Sequence, residues 1–220
     1  MTEPTKEELL ETKAGTFDTN QLAFTGLRGD ASKHLDRARL EAAIAALPPA
    51  PLDEGLVELL VARGPEGERI LPREVMLTVE GGMPGDRWAD ASSDDPDSQL
   101  ATARADVARV IANGQPLELH GDNLYLHLDI SPDNLPPGTT VRLGQALLRV
   151  TPRAHNGCKK WVQRFGLDAM QLNVAQSHRA MRVRGIYLQV IENGLVAVGD
   201  RAVVVERARA PAEVPEQASG

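Results

Sequence analysis

Short apolar runs separated by turn-forming residues dominate the sequence from about residue 54 to residue 206. LYLHLDI alternates from side to side, as a half-buried strand does, and the strong turn formers of SPDNLPPG come directly after it. Further on, GIYLQVIE and LVAVGD flank Asn193-Gly194, a pair that predicts a two-residue β-hairpin. Because short strands joined by such turns must bury one face together, we predict a compact β-barrel with attached helices, a mainly β fold of the α+β class.

Other segments predict further strands and two helices that flank the barrel. ASKHLDRARLEAAIAAL has apolar residues at helical spacing, with Asp30 or Ser32 as its N-cap. QLATARADVARVIA predicts a second helix, which Ser98 would cap and Gly114 would end. The additional strand-like runs are GLVELLVAR, VMLTVEGG, TTVRLGQ, ALLRVTP and RAVVVER.

The chain divides into three regions that differ in their apolar pattern and predicted secondary structure. Residues 1–50 predict an N-terminal helical extension, which the stiff run PPAP separates from the strand-rich region. Residues 54–206 hold the strand pattern and predict the barrel domain. Residues 207–220 lack an apolar pattern, so we predict a disordered tail there.

The bulk composition excludes several classes of protein. The chain has 220 residues, one cysteine and a net charge of -7, which argue against a disulfide framework and a nucleic-acid-binding surface. No apolar run approaches the ~20 residues of a membrane span, and the N-terminus MTEPTKEELLETK has no secretory h-region. We therefore predict a cytoplasmic protein that binds neither membrane nor nucleic acid; nothing in the pattern predicts its oligomeric state.

Positive charge is concentrated between residues 151 and 184. This segment has seven basic residues and one acidic residue, Asp168, and so carries a net charge of +6 in an acidic protein. A cationic island of this size favours a small anionic ligand that is bound locally, rather than a long polyanion.

The single cysteine lies inside this island, in AHNGCKKWVQRFG. Cys158, Trp161 and Phe165 fall on one face of a predicted helix that ends at Gly166. A cysteine in a first helical turn among cations favours the thiolate, and His155 is placed to orient the sulfur or exchange a proton with it. A buried lone cysteine can equally be an inert apolar residue, and His155 with Cys158 supplies too few ligands for structural zinc.

Four stretches, taken in this order, resemble the MOSC family, which is named for the C-terminal domain of molybdenum cofactor sulfurase. The resemblance covers about residues 54–206. The matching stretches are GGMPGDRW, GDNLYLHLDISPDNLPPGTTVRLGQALLRVTP, HNGCKKWVQRFG and RVRGIYLQVIENGLVAVGDRAVVV. The resemblance implies a MOSC-type β-barrel, similar to the pyruvate kinase barrel domain. It also implies that Cys158 is the functional cysteine.

Two roles for this cysteine are known in the family. In some members it ligates molybdenum in a pyranopterin cofactor (molybdopterin) that reduces N-hydroxylated substrates, and in others it carries sulfur as a persulfide received from a pyridoxal-phosphate-dependent desulfurase. Where many members have a histidine after the GDR motif, this chain has Trp88, so the role of that position is not carried over. The residues expected to bind an anionic cofactor are Arg87, Asn123, Lys159, Lys160, Arg164 and Arg184.

The resemblance and the residues together give three hypotheses. The leading one is a molybdenum-cofactor protein with Cys158 as metal ligand and His155 beside it, acting as a reductase component. Without a ferredoxin-like cysteine cluster or a flavin motif, it would need a separate electron-transfer partner. The second is a sulfur carrier with a cysteine desulfurase as partner, and the third is a structural or ligand-sensing barrel with an inert thiol.

Overall fold

Seven strands form a closed barrel in the computed structural model, which describes residues 27–89, 95–175 and 181–208. This confirms the predicted β-barrel. Strands β5 (Leu100–Arg104) and β6 (Leu124–His127) run parallel, and the other neighbouring strands around the barrel are antiparallel. The order around the barrel is β1 (Glu54–Leu60), β11 (Arg201–Glu206), β7 (Thr140–Leu143), β8 (Ala146–Val150), β9 (Ile186–Glu192), β5 (Leu100–Arg104) and β6 (Leu124–His127).

Smaller elements surround the barrel. Two short antiparallel pairs are β2 (Ala62–Arg63) with β3 (Arg69–Ile70), and β4 (Glu74–Leu77) with β10 (Gly194–Ala197). The α-helices of the described residues are α1 (Arg37–Ala45), α2 (Ala105–Ala112), α3 (Lys159–Phe165) and α4 (Leu167–Val174). Short 3-10 helices lie at Ala31–Lys33, Pro65–Gly67, Pro96–Ser98 and Leu117–His120.

Three apolar clusters hold these elements together, and two of them are large. The barrel interior is filled by buried side chains such as Leu60, Leu126 and Leu188. Each such side chain contributes about 1.5–3 kcal/mol when it is fully buried. A second core joins the helices, where Leu40 of α1 packs in the same cluster as Trp161 of α3. Helix α1 is therefore part of the core that supports the cysteine segment.

The predicted hairpin at Asn193-Gly194 is wrong. Strand β9 is hydrogen-bonded to β8 on one side and to β5 on the other, so neither of its edges is open to β10. The chain instead leaves the barrel, and β10 pairs with β4. The Asn193 side chain accepts a hydrogen bond from the Val79 amide at 2.8 Å, and a Cβ on Gly194 would lie 2.3 Å from the nitrogen of Ala146. Asn193 and Gly194 therefore lie where the chain passes close to Val79 and Ala146.

The single helix predicted over QLATARADVARVIA is also wrong in its first part. Residues 100–104 form β5, and α2 begins only at Ala105 and ends at Ala112, where Asn113 caps it in a left-handed conformation. Strand β5 lies between β9 and β6, and its first four residues are buried, so it lacks the alternation that marks a half-buried strand. The unit β5–α2–β6 is a crossover between parallel strands.

The N-terminal segment is described from residue 27. Asp30 caps the 3-10 helix Ala31–Lys33, and Asp36 caps α1, so the predicted long helix is divided in two. The predicted extension before residue 27 and the tail after residue 208 lie outside the described residues, and the domain boundary near residue 50 stays a prediction. Among the described residues, no helix has the length and apolar character needed to cross a membrane.

Candidate functional site

A cavity of about 360 Å³ opens beside the cysteine segment. Its volume is within the range of small-molecule binding pockets. Its walls come from the β2–β3 region, the loop after β4, the turn before β6, the segment around Cys158 and the start of β9. The lining residues are Arg63, Glu66, Gly67, Arg69, Arg87, His120, Gly121, His155, Asn156, Cys158, Lys160, Arg164, Arg184 and Tyr187.

The cavity brings together six of the eight predicted site residues, which are Cys158, His155, Arg87, Lys160, Arg164 and Arg184. The other two do not line it. Lys159 is exposed, and Asn123 is fully buried behind the wall. The Asn123 amide donates to Asp86 Oδ2 at 2.7 Å and accepts from the Ala101 amide at 3.0 Å, so its side chain joins β5 to the loop after β4.

Cys158 is exposed and caps the N-terminal end of α3. Its carbonyl accepts hydrogen bonds from the amides of Trp161 at 2.9 Å and Val162 at 3.1 Å. Gly157 allows the chain to approach Met170, since a Cβ at this position would lie 2.5 Å from Met170 Cε. The thiol is thus presented to solvent by a tightly packed turn.

The turn that precedes β6 holds the cysteine segment on both sides. Three residues after Cys158, Trp161 Nε1 donates a hydrogen bond to His120 Nδ1 at 3.2 Å. Three residues before it, His155 Nε2 lies 3.5 Å from Asp122 Oδ1. His120 is in turn fixed by a 3.0 Å contact of its Nε2 with the Ala108 carbonyl. The sulfur therefore lies between two points of attachment to one rigid turn.

Asp122 and Arg184 form a buried ion pair behind the cavity. Arg184 Nη1 donates to both oxygens of Asp122, at 2.6 and 2.5 Å, and Nη2 donates to the His120 carbonyl at 3.0 Å. Asp122 is fully buried and Arg184 is 7% exposed. The Arg184 guanidinium also lies 5.5 Å from the ring centroid of Trp161, within the range of a cation–π contact.

His155 is a neutral side chain at neutral pH. Burial, followed by the charges of Arg184 and Arg63, lowers its pKa well below the ordinary histidine value. The carboxylate of Asp122 is already matched by Arg184, so it does not hold a second proton on His155. No hydrogen bond among the described residues joins His155 to Cys158, and its buried Nδ1 has no partner there.

Arg164 is held from three directions. Its Nε donates to the Leu27 carbonyl at 3.0 Å and its Nη1 to the Leu119 carbonyl at 2.8 Å. His34 Nε2 lies 3.1 Å from the Arg164 carbonyl. Burial and the neighbouring charge of Arg69 lower the pKa of Arg164 to about 10, which the Cys158 sulfur opposes, so Arg164 stays protonated at neutral pH.

Asp86 and Arg87 are adjacent in sequence, but Asp86 pairs with Arg63 and not with Arg87. Asp86 is 4% exposed and pairs with Arg63, whose Nε and Nη2 donate to its two oxygens at 2.8 Å each. Burial alone raises the pKa of Asp86, but the bonds from Arg63 outweigh it and hold that pKa below the usual value. The Arg87 side chain does not pair with Asp86, and it lines the cavity.

The lining carries six cations and one carboxylate, Glu66. Arg63 and Arg184 are matched by buried carboxylates. In the part of the chain that the structure describes, the side chains of Arg87 and Lys160 make neither a hydrogen bond nor an ion pair. The cavity therefore has an excess of positive charge that an anionic ligand would neutralise.

The comparison with known families decides which family this fold represents. The MOSC domain matches residues 90–203, which is more than half of the chain. The chain belongs to the MOSC domain family. The matched segment includes Cys158, Arg164 and Arg184, and it confirms the resemblance drawn from the sequence motifs.

Two solved structures with TM-scores of 0.50 or above are similar to this MOSC protein in fold, and a third falls just below that value. The crystal structure of a hypothetical protein is 23% identical, covers 70% of this chain and 68% of its own, and has a TM-score of 0.52. The YuaD protein from Bacillus subtilis is 16% identical, with 68% and 94% covered and a TM-score of 0.50. YiiM from Escherichia coli is 24% identical, with 70% and 72% covered and a TM-score of 0.49. A search of curated proteins finds no match.

Sequence reasoning missed six polar or charged residues that line the cavity of this MOSC protein, namely Arg63, Glu66, Arg69, His120, Asn156 and Tyr187. The Tyr187 ring lies 4.4 Å from that of His155, and burial raises its pKa. Arg63 and Arg69 flank the turn GPEGE, and two cations facing each other across a hairpin are a usable signal. Arg63 and Arg69 lie about 90 residues before Cys158, outside the cationic segment 151–184, so the charge of that segment does not include them.

Lowering the pH from 7 to 5 is expected to destabilise this MOSC protein. Burial and the charge of Arg184 lower the pKa of His120 from 6.5 to about 3. Below pH 6.5 the unfolded chain binds a proton that the folded chain excludes, so the free energy of unfolding falls by about 1.4 kcal/mol per pH unit and per buried histidine. His155 acts in the same direction.

Urea unfolding at pH 7, 6 and 5 measures this dependence. The variant Val205→Ala changes an exposed side chain that carries no titratable group, and it should keep the slope of the parent protein. A free energy of unfolding that is constant between pH 7 and pH 5 would contradict the neutral state of the two buried rings.

Proposed function

We propose that this MOSC protein binds an anionic molybdenum pyranopterin cofactor in the cavity, with Cys158 as the protein ligand of the metal. It would serve as the reductase component for N-hydroxylated or similar small molecules. The observation that carries the proposal is an exposed thiol at the edge of a cavity with six cationic side chains. Thiolate is a suitable ligand for a soft metal centre.

The residues fit a cofactor that brings most of its metal ligands with it. Among the described residues, no group of three or more His, Cys, Asp or Glu side chains could hold a bare metal ion. Cys158 would therefore complete a coordination sphere that the pyranopterin itself supplies. The buried Nε of Arg184 has no partner in the described structure, and an anionic group in the cavity would provide one.

Each cation would have a distinct part in this binding. Arg87 and Lys160, without partners in the described residues, would contact the anionic portion of the cofactor. Arg164 and Arg184, which the fold already orients, would contribute fixed positive charge. When bound, the cofactor supplies the redox chemistry; the one cysteine of the chain cannot hold an iron–sulfur cluster, so electrons would come from a separate partner.

Molybdenum content tests the proposal. The protein and its Cys158→Ser variant are expressed in a host that makes the cofactor, and bound molybdenum is measured by elemental analysis. We expect close to one molybdenum per chain in the parent and at least a tenfold loss in the variant, because removal of a metal ligand typically costs more than one order of magnitude in affinity. Arg149→Ala, an exposed cation on β8, is the matched control and should keep its metal. Equal molybdenum in parent and Cys158→Ser, or none in either, would contradict the proposal.

The exposure of Cys158 favours a second candidate function, that of a sulfur carrier. A persulfide carrier requires an accessible thiolate, since the Cys158 sulfur must attack the terminal sulfur of a desulfurase persulfide and release the desulfurase thiolate. Incubation with a cysteine desulfurase and cysteine, followed by intact-mass spectrometry, tests it. A gain of one sulfur atom that Cys158→Ser lacks supports the carrier, and no gain contradicts it.

A further inference from the structure

Two buried polar atoms beside Cys158 have no partner among the described residues. They are His155 Nδ1 and Arg184 Nε, and both side chains line the cavity. The side chains are 4% and 8% exposed, so bulk solvent has little access to them. A buried polar group without a partner costs about 1–3 kcal/mol, and a molecule that entered the cavity would remove part of this cost.

The charge of the walls decides the class of that molecule. The lining has six cations and one carboxylate, Glu66. Two of the cations, Arg63 and Arg184, are paired with buried carboxylates, whereas Arg87 and Lys160 have no partner in the described residues. Burial, and after it the charges of Arg69, Arg184 and Arg87, lowers the pKa of Arg164, so these cations lie close enough to interact with it. Such an arrangement favours a small dianion over a neutral or singly charged ligand.

We propose that this cavity binds a small dianion with a sulfane sulfur, of the thiosulfate class, and that Cys158 takes the sulfur from it. The Cys158 thiolate attacks the sulfane sulfur, the new sulfur–sulfur bond forms a persulfide, and the old sulfur–sulfur bond breaks to release sulfite. The charge balances, because one thiolate and one dianion give one persulfide anion and one dianion of sulfite. Sulfur moves without an external oxidant or reductant.

This activity goes beyond molybdenum binding and requires neither metal nor a protein donor. It shares the Cys158 persulfide with the sulfur-carrier candidate and rests on that candidate in this one respect. The difference is the donor: the cavity would bind a small anion directly, with Arg87 and Lys160 contacting its oxygens and the unpartnered Nε of Arg184 donating a hydrogen bond to it.

The experiment uses the full chain, thiosulfate as donor and cyanide as acceptor. Cyanide removes the outer sulfur of the persulfide as thiocyanate and regenerates the Cys158 thiolate, so turnover is read as sulfite and thiocyanate. We expect both products from the parent, none above background from Cys158→Ser, and a gain of one sulfur atom on the parent by intact mass when cyanide is omitted. Arg87→Ala and Lys160→Ala should each lower the rate about tenfold at low salt, while Arg149→Ala should not.

Four results would overturn the proposal. The first is the absence of sulfite although iodoacetamide alkylates native Cys158 rapidly, and the second is sulfite release that persists in Cys158→Ser. The third is a rate that is unchanged in both Arg87→Ala and Lys160→Ala. The fourth is a rate that does not fall as ionic strength rises, since attraction between a dianion and exposed cations is screened by salt. Molybdenum in the same preparations is measured separately, so failure here is distinct from failure of the cofactor proposal.

Discussion

Replacing Asp122 with alanine is expected to lower the free energy of unfolding by about 3–5 kcal/mol, because it leaves the buried Arg184 guanidinium without its carboxylate. Both Nη1 bonds to Asp122 are lost, at 2.5 and 2.6 Å, in a position that water does not reach. Urea unfolding at pH 7 measures the loss. The same change should loosen His155, whose Nε2 lies 3.5 Å from the removed oxygen.

A second variant separates the unpaired charge from the lost side chain. The double change Asp122→Asn with Arg184→Gln removes both charges, so it should be more stable than Asp122→Ala, by about 1–3 kcal/mol. Glu192→Ala, which breaks the exposed pair with Arg142, is the matched control and should cost less than about 1 kcal/mol. A loss in Asp122→Ala no larger than that of Glu192→Ala would contradict the ion pair's structural role.

Replacing Trp161 with alanine is expected to cost about 3–5 kcal/mol of unfolding free energy, as for other large aromatic side chains in a core. Trp161 is 1% exposed and lies 5.5 Å from the ring of Phe165. Because it is also the attachment of α3 to His120, we expect the alkylation rate of Cys158 by iodoacetamide to change with it. Urea unfolding and the alkylation rate are measured on the same variant.

The variant Trp161→Phe separates the loss of core packing from the loss of the hydrogen bond to His120. Phenylalanine keeps most of the apolar surface but cannot donate to His120 Nδ1, so it should cost about 1–3 kcal/mol for the unsatisfied nitrogen. Val205→Ala changes an apolar side chain that is 55% exposed and should stay within about 0.5 kcal/mol of the parent. If Trp161→Phe were as stable as the parent, the hydrogen bond to His120 would not stabilise the cysteine segment.

The sequence predicts the barrel and the thiol because both depend on local patterns. Strands β7 and β8 alternate buried and less buried residues, as the sequence pattern predicts. The structure also contains the predicted strands β6 and β11. The helix from Lys159 to Phe165 is predicted by the spacing of its apolar residues, and its C-cap is the predicted Gly166. In these segments the local pattern and the tertiary fold favour the same conformation.

The wrong predictions share a different cause, which is competition from tertiary pairing. Asn193-Gly194 has the sequence of a hairpin turn, but both edges of β9 are filled by other strands. Residues 100–104 are buried between two strands and lose the alternation that would mark them as a strand. The charge partners show the same limit, since Asp86 pairs with Arg63 across 23 positions of sequence and not with the adjacent Arg87.

The origin of the cavity's cations has a consequence for how such a site can diversify. Three of them, Arg63, Arg69 and Arg87, precede residue 90, and a fourth, Arg164, is held by the carbonyl of Leu27. The stretch that matches the family therefore encodes the thiol, while much of the charge around it is encoded elsewhere in the chain. Substitutions of Arg63, Arg69 or Arg87 would change the charge of the cavity wall, and they would leave Cys158 and helix α3 unaltered.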